Sequence, residues 1–271
     1  MDKLNISKQI QIMGVVNVTP DSFSDGGQFD TTEKAFQHAQ QMIADGVDIL
    51  DIGGESTRPG SQAVDEGEEL ARTIPLIRAI RDISDIPISI DTNKPLIMQQ
   101  AVQAGAGIIN SIDALRHDNA LDMAAELNVP VCVMHMQGTP ETMQKEPHYD
   151  DVVREVKDFL QQRIDAALAA GIARHHIIVD PGFGFGKNLQ HNLQLLKALP
   201  ELKSLGVSIL VGLSRKRMIG TILDKPVDQR LYGSLSVAVI SAMQGADIVR
   251  VHDVAETVDA IKMVRALNQV A

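Results

Sequence analysis

Polar side chains repeatedly follow short apolar runs along this chain. Asp180 comes directly after the run 176–179 and opens the segment 180–187, which reads DPGFGFGK and contains three glycines. Glycine lets a backbone turn tightly, or approach a ligand, where a Cβ would not fit. The other apolar runs end in the polar residues Asn17, Asp51 with Glu55, Asp91, Asn110, His135, Ser214 with Lys216, and Arg250 with His252.

Four of these residues combine the hydrogen-bonding groups that a flat, nitrogen-rich ring requires. They are Asp91, Asn110, Asp180 and Lys216. A carboxylate accepts paired N–H donors, an amide offers a donor beside an acceptor, and the lysine adds one cation. Any one of the carboxylates or amides is equally consistent with capping a helix or fixing a turn. The set as a whole indicates an enzyme site.

Two loop segments contain further candidate ligands. Segment 17–27 reads NVTPDSFSDGG and is rich in side-chain oxygens. Asn17 or Asp25 is suited to a hard cation such as Mg²⁺, which keeps several waters and bridges phosphate oxygens; a loop made rigid by Asx-turns is the alternative. Segment 55–60 reads ESTRPG and contains Arg58, which either covers negative charge at the site or is simply exposed.

The elements that must position these residues alternate between strands and helices. Runs rich in β-branched residues predict strands at 12–18, 48–53, 86–92, 107–112, 130–135, 176–180, 208–214 and 247–252. Amphipathic stretches predict helices that include 33–44, 66–80, 152–169 and 255–267. This alternation favours an α/β protein with one domain over residues 1–271, a closed (β/α)8 TIM barrel. An open, doubly wound sheet is the alternative.

In such a barrel the carboxyl ends of the strands converge on one mouth, so their polar residues become neighbours. The irregular stretches 19–31 and 55–65 follow the first two strands and would lie at this catalytic rim; the third long irregular stretch is 137–149. Arg250 and His252 are two positions apart on one strand, so both side chains point the same way. With the sequence SRKR at 214–217 they predict an anion site, because barrels commonly hold phosphate near the last two strands. A salt-bridge network that closes the barrel seam is the alternative.

Composition excludes several function classes. The net charge of −10 argues against binding to nucleic acid or to an anionic membrane. No apolar run reaches the roughly 18 residues that a membrane span requires, and the N-terminal residues are too polar for a secretory signal. The single cysteine, Cys132, excludes an internal disulfide and fits a reducing cytoplasm. Its place in the apolar run 130–134 predicts a buried thiol, not a nucleophile.

The motifs NVTPDSFSDGG, GGESTRPG, DPGFGFGK and SRK, in this order, resemble those of dihydropteroate synthases. These folate-pathway enzymes, which are sulfonamide targets, join a pterin to p-aminobenzoate. The similarity extends over nearly the whole chain and includes the segments 88–92, 108–112, 133–137 and 249–254. It implies a transferase that uses Mg²⁺, and the outer helices of a barrel often pair in a two-fold homodimer.

The resemblance also implies a role for each matching residue. The pterin would be bound by Asp91, Asn110, Ile112, Met134, Asp180, Phe185, Gly212 and Lys216. The diphosphate would be bound by Asn17, Arg58, Arg250 and His252, with Asn17 also beside the metal. The p-aminobenzoate and the loops that close over it would involve Phe23, Asp25, Thr57, Arg58, Pro59 and Arg217. The catalytic residues would be Asp91, Asp180, Lys216, Arg250 and His252.

Two positions depart from the family pattern. The usual Asn-Asp pair after the fourth strand is Asn110-Ser111 here, with an acid displaced to Asp113, and this departure leaves the role of Asn110 intact. Arg217 follows Lys216 where many relatives have serine near the p-aminobenzoate carboxylate. We expect its backbone N–H still to donate.

The implied reaction condenses 6-hydroxymethyl-7,8-dihydropterin diphosphate with p-aminobenzoate to give 7,8-dihydropteroate and diphosphate. An arylamine is a weak nucleophile, and an electron-rich pterin stabilises a cation at its exocyclic methylene, so we expect the diphosphate to leave first. One alternative is a pterin-binding methyltransferase that uses methyltetrahydrofolate, which would have no use for a diphosphate clamp. The other is a non-catalytic pterin-binding barrel.

Overall fold

The protein is a closed barrel of eight parallel strands. The computed structural model describes residues 9–18, 28–56 and 64–270, without the side chains of 28–31. The strands follow one another around the barrel in chain order, and the ring closes where Ile12 of the first strand pairs with Val249 of the last. The strands are β1 Gln11–Asn17, β2 Ile49–Gly53, β3 Ile88–Asp91, β4 Ile108–Ser111, β5 Val131–Met134, β6 Ile177–Asp180, β7 Ser208–Val211 and β8 Ile248–Val251.

Nine helices in the described part of the chain surround this barrel. They are α1 Gln28–Ala44, α2 Glu66–Arg81, α3 Pro95–Ala104, α4 Ala120–Leu127, α5 Val152–Ala169, α6 Leu189–Lys197, α7 Arg217–Leu223, α8 Leu231–Met243 and α9 Val254–Asn268. Short 3-10 turns occupy Arg174–His176, Leu199–Leu205 and Val227–Gln229. Side chains of Asp65, Asp151 and Asn188 accept backbone N–H groups at the starts of α2, α5 and α6, which satisfies donors that the helix leaves free. None of the described helices is long and apolar enough to cross a membrane.

The alternation of side chains along the strands divides the core into two parts. Outward-facing residues such as Leu50, Ile90 and Val179 pack against the helices in one large cluster. Inside the barrel, a second cluster takes one apolar residue from every strand but β3: Met13, Ile49, Ile108, Cys132, Ile178, Leu210 and Ile248. The buried Ser89 of β3 pairs in register with Ile108 of this inner layer. The amino-terminal half of the barrel is therefore filled by mostly apolar side chains.

The closed barrel and each of its eight strands were predicted correctly from the sequence. The alternative fold, an open, doubly wound sheet, was wrong. The observed strands lie within the predicted ones apart from Gln11, and most stop one to three residues earlier; β7 ends at Val211, which leaves Ser214 and Lys216 on the following loop. Helix α1 begins at Gln28, so the last part of the stretch 19–31 is helical. β7 is followed by two helices, since the short α7 precedes α8.

Candidate active site

A polar layer lies directly above the apolar inner layer of the barrel. It consists of the inward-facing residues two positions further along the strands, because side chains two apart share a face. In β2, β4, β6 and β8 the apolar residue is followed two positions later by Asp51, Asn110, Asp180 and Arg250 respectively. Asp91 ends β3 in register with Asn110. The strands thus bring together three carboxylates, an amide and a guanidinium that are scattered in the sequence.

Arg250 is paired with two carboxylates at the centre of this layer. Its Nε donates to Asp51 Oδ2 at 2.6 Å, and its Nη2 donates to Asp91 Oδ2 at 3.0 Å. Asp51 Oδ2 also accepts from Asn110 Nδ2 at 3.2 Å. The salt-bridge network that the sequence left open is therefore present at this end of the barrel. It leaves the guanidinium inside the mouth, where a ligand can reach it.

Burial changes the protonation chemistry of Asp91. Burial and the nearby charge of Asp51 raise the pKa of Asp91 to about 7, and the Arg250 guanidinium opposes that rise. A carboxylic acid with a pKa near neutrality exchanges its proton readily at physiological pH, which is typical of functional sites. The same carboxylate is therefore poised to accept N–H donors from a ring or to share a proton with it.

Burial also shifts the pKa values of Asp180 and Lys216. Burial raises the pKa of Asp180 despite the hydrogen bond that its Oδ1 accepts from Gly182 N at 2.7 Å. Burial lowers the pKa of Lys216 to about 8, with Asp180 opposing the change. Lys216 Nζ donates to Phe183 O and lies 4.1 Å from the centre of the Phe185 ring, a cation–π contact. The lysine is therefore directed at the site by the glycine-rich segment.

That segment, 180–187, is a tightly packed turn whose glycines are sterically required. Gly182 and Gly186 have φ values of +68° and +64°, in the left-handed region. A Cβ on Gly182 would lie 1.9 Å from His135 O, and one on Gly186 would lie 2.4 Å from Gln137 O. The His135 ring packs against Phe159 and Tyr149, so this strand-end residue supports the turn from behind.

An apolar wall adjoins the polar layer, since Met134, one of its residues, pairs in register with Asp180. Ile112, Met134, Met136 and Met143 form a separate buried cluster, with Phe185 packed against it. Met143 comes from the connection 137–149 after β5. Gly212 adjoins the polar side, since a Cβ there would lie 3.9 Å from Arg250 Cβ and 4.0 Å from Asp180 Oδ2. Carboxylates at the edge and apolar faces beside them suit a flat polar heterocycle.

The turn after β4 is organised by the residues that depart from the family pattern. Ser111 Oγ donates to Asp113 Oδ1 at 2.7 Å and accepts from Leu115 N at 3.0 Å. Asn93 Oδ1 lies 3.1 Å from Ser111 Oγ and accepts from Asp113 N at 3.3 Å. Ser111 and the displaced acid therefore close this turn together while Asn110 keeps its place in the polar layer.

The basic residues after β7 divide between several tasks. Arg215 forms an ion pair with Asp253, which ties this loop to the start of α9. Ser214 Oγ lies 3.1 Å from His252 Nδ1 and accepts from His252 N, so it holds His252 at the end of β8.

Arg217 is exposed at the start of α7. It lines, with Lys216, a cavity of about 240 Å³. A groove of about 590 Å³ between the start of α5 and α6 does not include the polar layer.

Asn17 lies at the rim, at the end of β1 and therefore next to β8. A Cβ on Gly53 would be 3.6 Å from both Asn17 Oδ1 and Asp91 Cβ, so Gly53 separates the two side chains. Among the described residues no group of three or more His, Cys, Asp or Glu is arranged to hold a metal ion. The predicted loop residues lie outside the residues that the structure describes: Phe23, Asp25, Thr57, Arg58 and Pro59.

Two residues of the site were assigned no role from the sequence. Asp51 was recognised as a strand-end acid, yet it connects Asn110 to Arg250. Lys187, the last residue of the DPGFGFGK motif, is buried beneath the turn. The position of a lysine at the end of a glycine-rich segment is the sequence signal from which a role for Lys187 could have been predicted. Glu55, in contrast, pairs with Lys94 at 2.6 Å next to α2, outside the polar layer.

Comparison with known proteins identifies the family. Residues 13–252 match the family described as pterin binding enzyme. The dihydropteroate synthase of Haemophilus influenzae is 52% identical over 256 residues, covering 94% of this chain and 93% of its own. The chain belongs to the dihydropteroate synthase family. It is accordingly an enzyme, a transferase, and the resemblance seen in its motifs is confirmed.

Solved structures agree with this assignment. The Yersinia pestis dihydropteroate synthase, solved as a complex with a sulfonamide drug, has a TM-score of 0.94 and 49% identity, covering 98% of this chain and 97% of its own. The Xanthomonas albilineans enzyme in complex with 7,8-dihydropteroate has a TM-score of 0.90 and 48% identity, covering 99% and 97%. The barrel architecture is therefore that of the family.

Proposed function

We propose that this chain condenses 6-hydroxymethyl-7,8-dihydropterin diphosphate with p-aminobenzoate and releases diphosphate. The observation that carries the proposal is the polar layer at the barrel mouth, in which Asp91, Asn110 and Asp180 lie beside the apolar wall and the half-buried Lys216. The related synthases named above, one of them with dihydropteroate bound, support the same reaction.

The pterin would lie flat between the apolar wall and the polar layer. Its N–H groups would donate to the carboxylates of Asp91 and Asp180. Asn110 and Lys216 would form hydrogen bonds with its ring nitrogen and oxygen atoms. Ile112, Met134 and Phe185 of the apolar wall would contact its faces, and Gly212 would contact its edge. A ring of this shape satisfies groups whose burial is otherwise unfavourable.

The chemistry would be electrostatic. The C–O bond to the diphosphate breaks first, and its electron pair leaves with the diphosphate; the arylamine nitrogen then bonds to the methylene and loses a proton to solvent. Asp91 and Asp180 favour positive charge on the ring, while Arg250 and His252 stabilise the leaving group. Removing one such preorganised group typically costs about 3 kcal/mol of barrier, roughly a hundredfold in rate. A protein nucleophile is not required, and Cys132, buried in the inner layer with a raised pKa, is unsuited to that role.

The diphosphate also favours Mg²⁺ at the rim. The donor chemistry fits, because the side chain of Asn17 offers one hard oxygen next to the place where Arg250 and His252 would bind phosphate, and Mg²⁺ usually takes few protein ligands. When bound, the ion would neutralise charge on the leaving diphosphate. Asn17 would hold it, and Arg58 and the basic residues would bind the remaining oxygens.

The arylamine would enter beside Lys216. The cavity of about 240 Å³ there is lined by Arg217 and Met218, so it offers a cation and an apolar surface for the carboxylate end of p-aminobenzoate. We expect Phe23, Asp25, Thr57, Arg58 and Pro59 to complete this subsite and to exclude water, which would otherwise trap the pterin cation as an alcohol.

The exposed face formed by α7 and α8 suggests a homodimer. It presents apolar side chains that are at least 40% exposed, namely Ile222, Leu223, Tyr232, Ile240 and Met243. Large apolar side chains exposed on one face are typical of protein interfaces, and two-fold pairing is the commonest arrangement. We also propose a cytoplasmic location, with which the free thiol of Cys132 is compatible.

Diphosphate release tests the proposal. The purified protein is given the pterin diphosphate with and without p-aminobenzoate, and with Mg²⁺ or a chelator. We expect release that requires Mg²⁺ and is stoichiometric with dihydropteroate. Pterin binding without release would contradict the synthase reaction, and methyl transfer from methyltetrahydrofolate would establish the rival instead. Diphosphate release that persists fully in the presence of the chelator would refute only the role of Mg²⁺, and not the condensation reaction.

A further inference from the structure

Lys187 is buried underneath the glycine-rich turn that it terminates. Its side chain is 3% exposed. Nζ lies 2.9 Å from Gly182 O, 3.0 Å from Phe185 O and 2.8 Å from His135 Nδ1. An ammonium group has three N–H donors, so these three acceptors satisfy it completely. The turn therefore wraps around a cation.

The partner ring and the surroundings are consistent with a charged lysine. Burial and Lys187 lower the pKa of His135 to about 2, so the ring is neutral and its Nδ1 is free to accept. Burial lowers the pKa of Lys187 well below its usual value, and the nearby charge of Asp180 opposes that change. The three acceptors around Nζ favour the protonated form, because only an ammonium group has a donor for each of them. Lys187 makes no ion pair within the described residues, so the carbonyl groups of the turn take the place of its water. A buried lysine without an ion pair is unfavourable in itself.

Two lysines divide the carbonyl groups of this turn between them. Gly182 O and Phe185 O point inward to Lys187, whereas Phe183 O points to Lys216. The same turn sets the Phe185 ring 4.1 Å from Lys216 Nζ. The orientation of each carbonyl fixes the peptide next to it. Removing the inner cation would therefore allow the peptides that direct Lys216 and Phe185 to rotate.

We propose that Lys187 is a positioning residue for the pterin subsite, acting through the turn on Lys216 and Phe185. The inference rests on the proposed function, because those two residues are expected to bind the pterin. The acceptors of Lys187 Nζ belong to the turn and to His135, so its ammonium group acts on the turn and not on the pterin. It keeps the turn in the one shape that places a cation and an aromatic ring side by side at the mouth.

The test replaces Lys187 by methionine, which keeps the length of the side chain and removes the ammonium group. Binding of 6-hydroxymethylpterin, which carries no diphosphate to lose, is followed by fluorescence titration. We expect K187M to bind this probe at least about tenfold more weakly and to have a correspondingly higher KM for the pterin diphosphate, with kcat changed less than about threefold, as loss of uniform binding requires. Hydrogen exchange of the amides in 182–186 should accelerate. The matched control is K197M, since Lys197 is exposed on the neighbouring helix α6.

A second variant approaches the same turn from the other side. Asn192 Oδ1 accepts from Gly184 N at 2.7 Å, so N192A loosens the turn with Lys187 in place and should also weaken the probe. Unchanged probe affinity and KM in folded K187M, with only a lower Tm, would overturn the proposal. If neither K187M nor K187Q folds, Lys187 serves the stability of the barrel and the proposal is equally overturned. A wild-type protein that binds the probe but forms no dihydropteroate would refute the proposed function and leave the probe comparison intact.

Discussion

Replacing Asp51 by asparagine examines whether one buried carboxylate holds the charged centre of the site. Asp51 is fully buried, and its Oδ2 accepts from Arg250 Nε at 2.6 Å and from Asn110 Nδ2 at 3.2 Å. Asparagine keeps the shape and loses the charge, so at least one hydrogen bond to a charged group is weakened or lost. Such a bond contributes about 2 kcal/mol, and about 1.4 kcal/mol corresponds to tenfold in rate. We expect kcat/KM for the pterin diphosphate to fall about thirtyfold.

The same substitution should move the pH dependence in a known direction. Only the ionised form of Asp91 accepts two N–H bonds, so the acid limb of kcat/KM should lie near the pKa of Asp91, about 7. The charge of Asp51 is the second-largest cause of that raised pKa, after burial. Removing it lowers the pKa of Asp91, and Arg250 is then free to stabilise the carboxylate further. The acid limb of D51N should shift below pH 7 although the maximum rate is lower.

Asp48, which immediately precedes β2, provides the matched control for the substitution of Asp51. Its Oδ2 accepts from Arg265 Nη2 and from Ile12 N, at 2.7 and 2.8 Å, just before β2 and at the opposite end of the barrel. D48N should therefore lower Tm while leaving kcat/KM and the acid limb unchanged. Rates are measured as dihydropteroate formed between pH 5 and 9. An unchanged limb in D51N, or a loss of rate in D48N equal to that in D51N, would refute the electrostatic account.

Three further substitutions separate binding, packing and backbone geometry. Burial lowers the pKa of Lys216 to about 8, so pterin affinity should fall as pH rises through about 8, and K216M should bind weakly with no such fall. C132A should keep full activity and lose about 1 kcal/mol of unfolding free energy in urea, because Cys132 is buried in the inner layer. In G182A the new Cβ would meet His135 O at 1.9 Å, so the variant should lose pterin binding or folding; G107A, where a Cβ meets nothing within 4 Å, should behave as wild type.

The local elements and the family were predictable from the sequence. The apolar runs gave eight strands that the structure confirms within a few residues, because β-branched residues between glycines and prolines favour short buried strands. The two-residue period of a strand also determined which residues share a face, so Asn110 and Asp180 were expected at one mouth. The buried thiol of Cys132 followed from its apolar neighbours and is confirmed.

Which of these groups contact one another was decided by the tertiary structure. Arg250 meets Asp51 across 199 positions in the sequence, and Lys187 meets His135 across 52. A strand pattern fixes the face of a side chain but not its neighbours, which depend on closure of the barrel and on the register between strands. The pKa of about 7 at Asp91 has the same origin, since desolvation and the charge of Asp51 exist only once the barrel has closed.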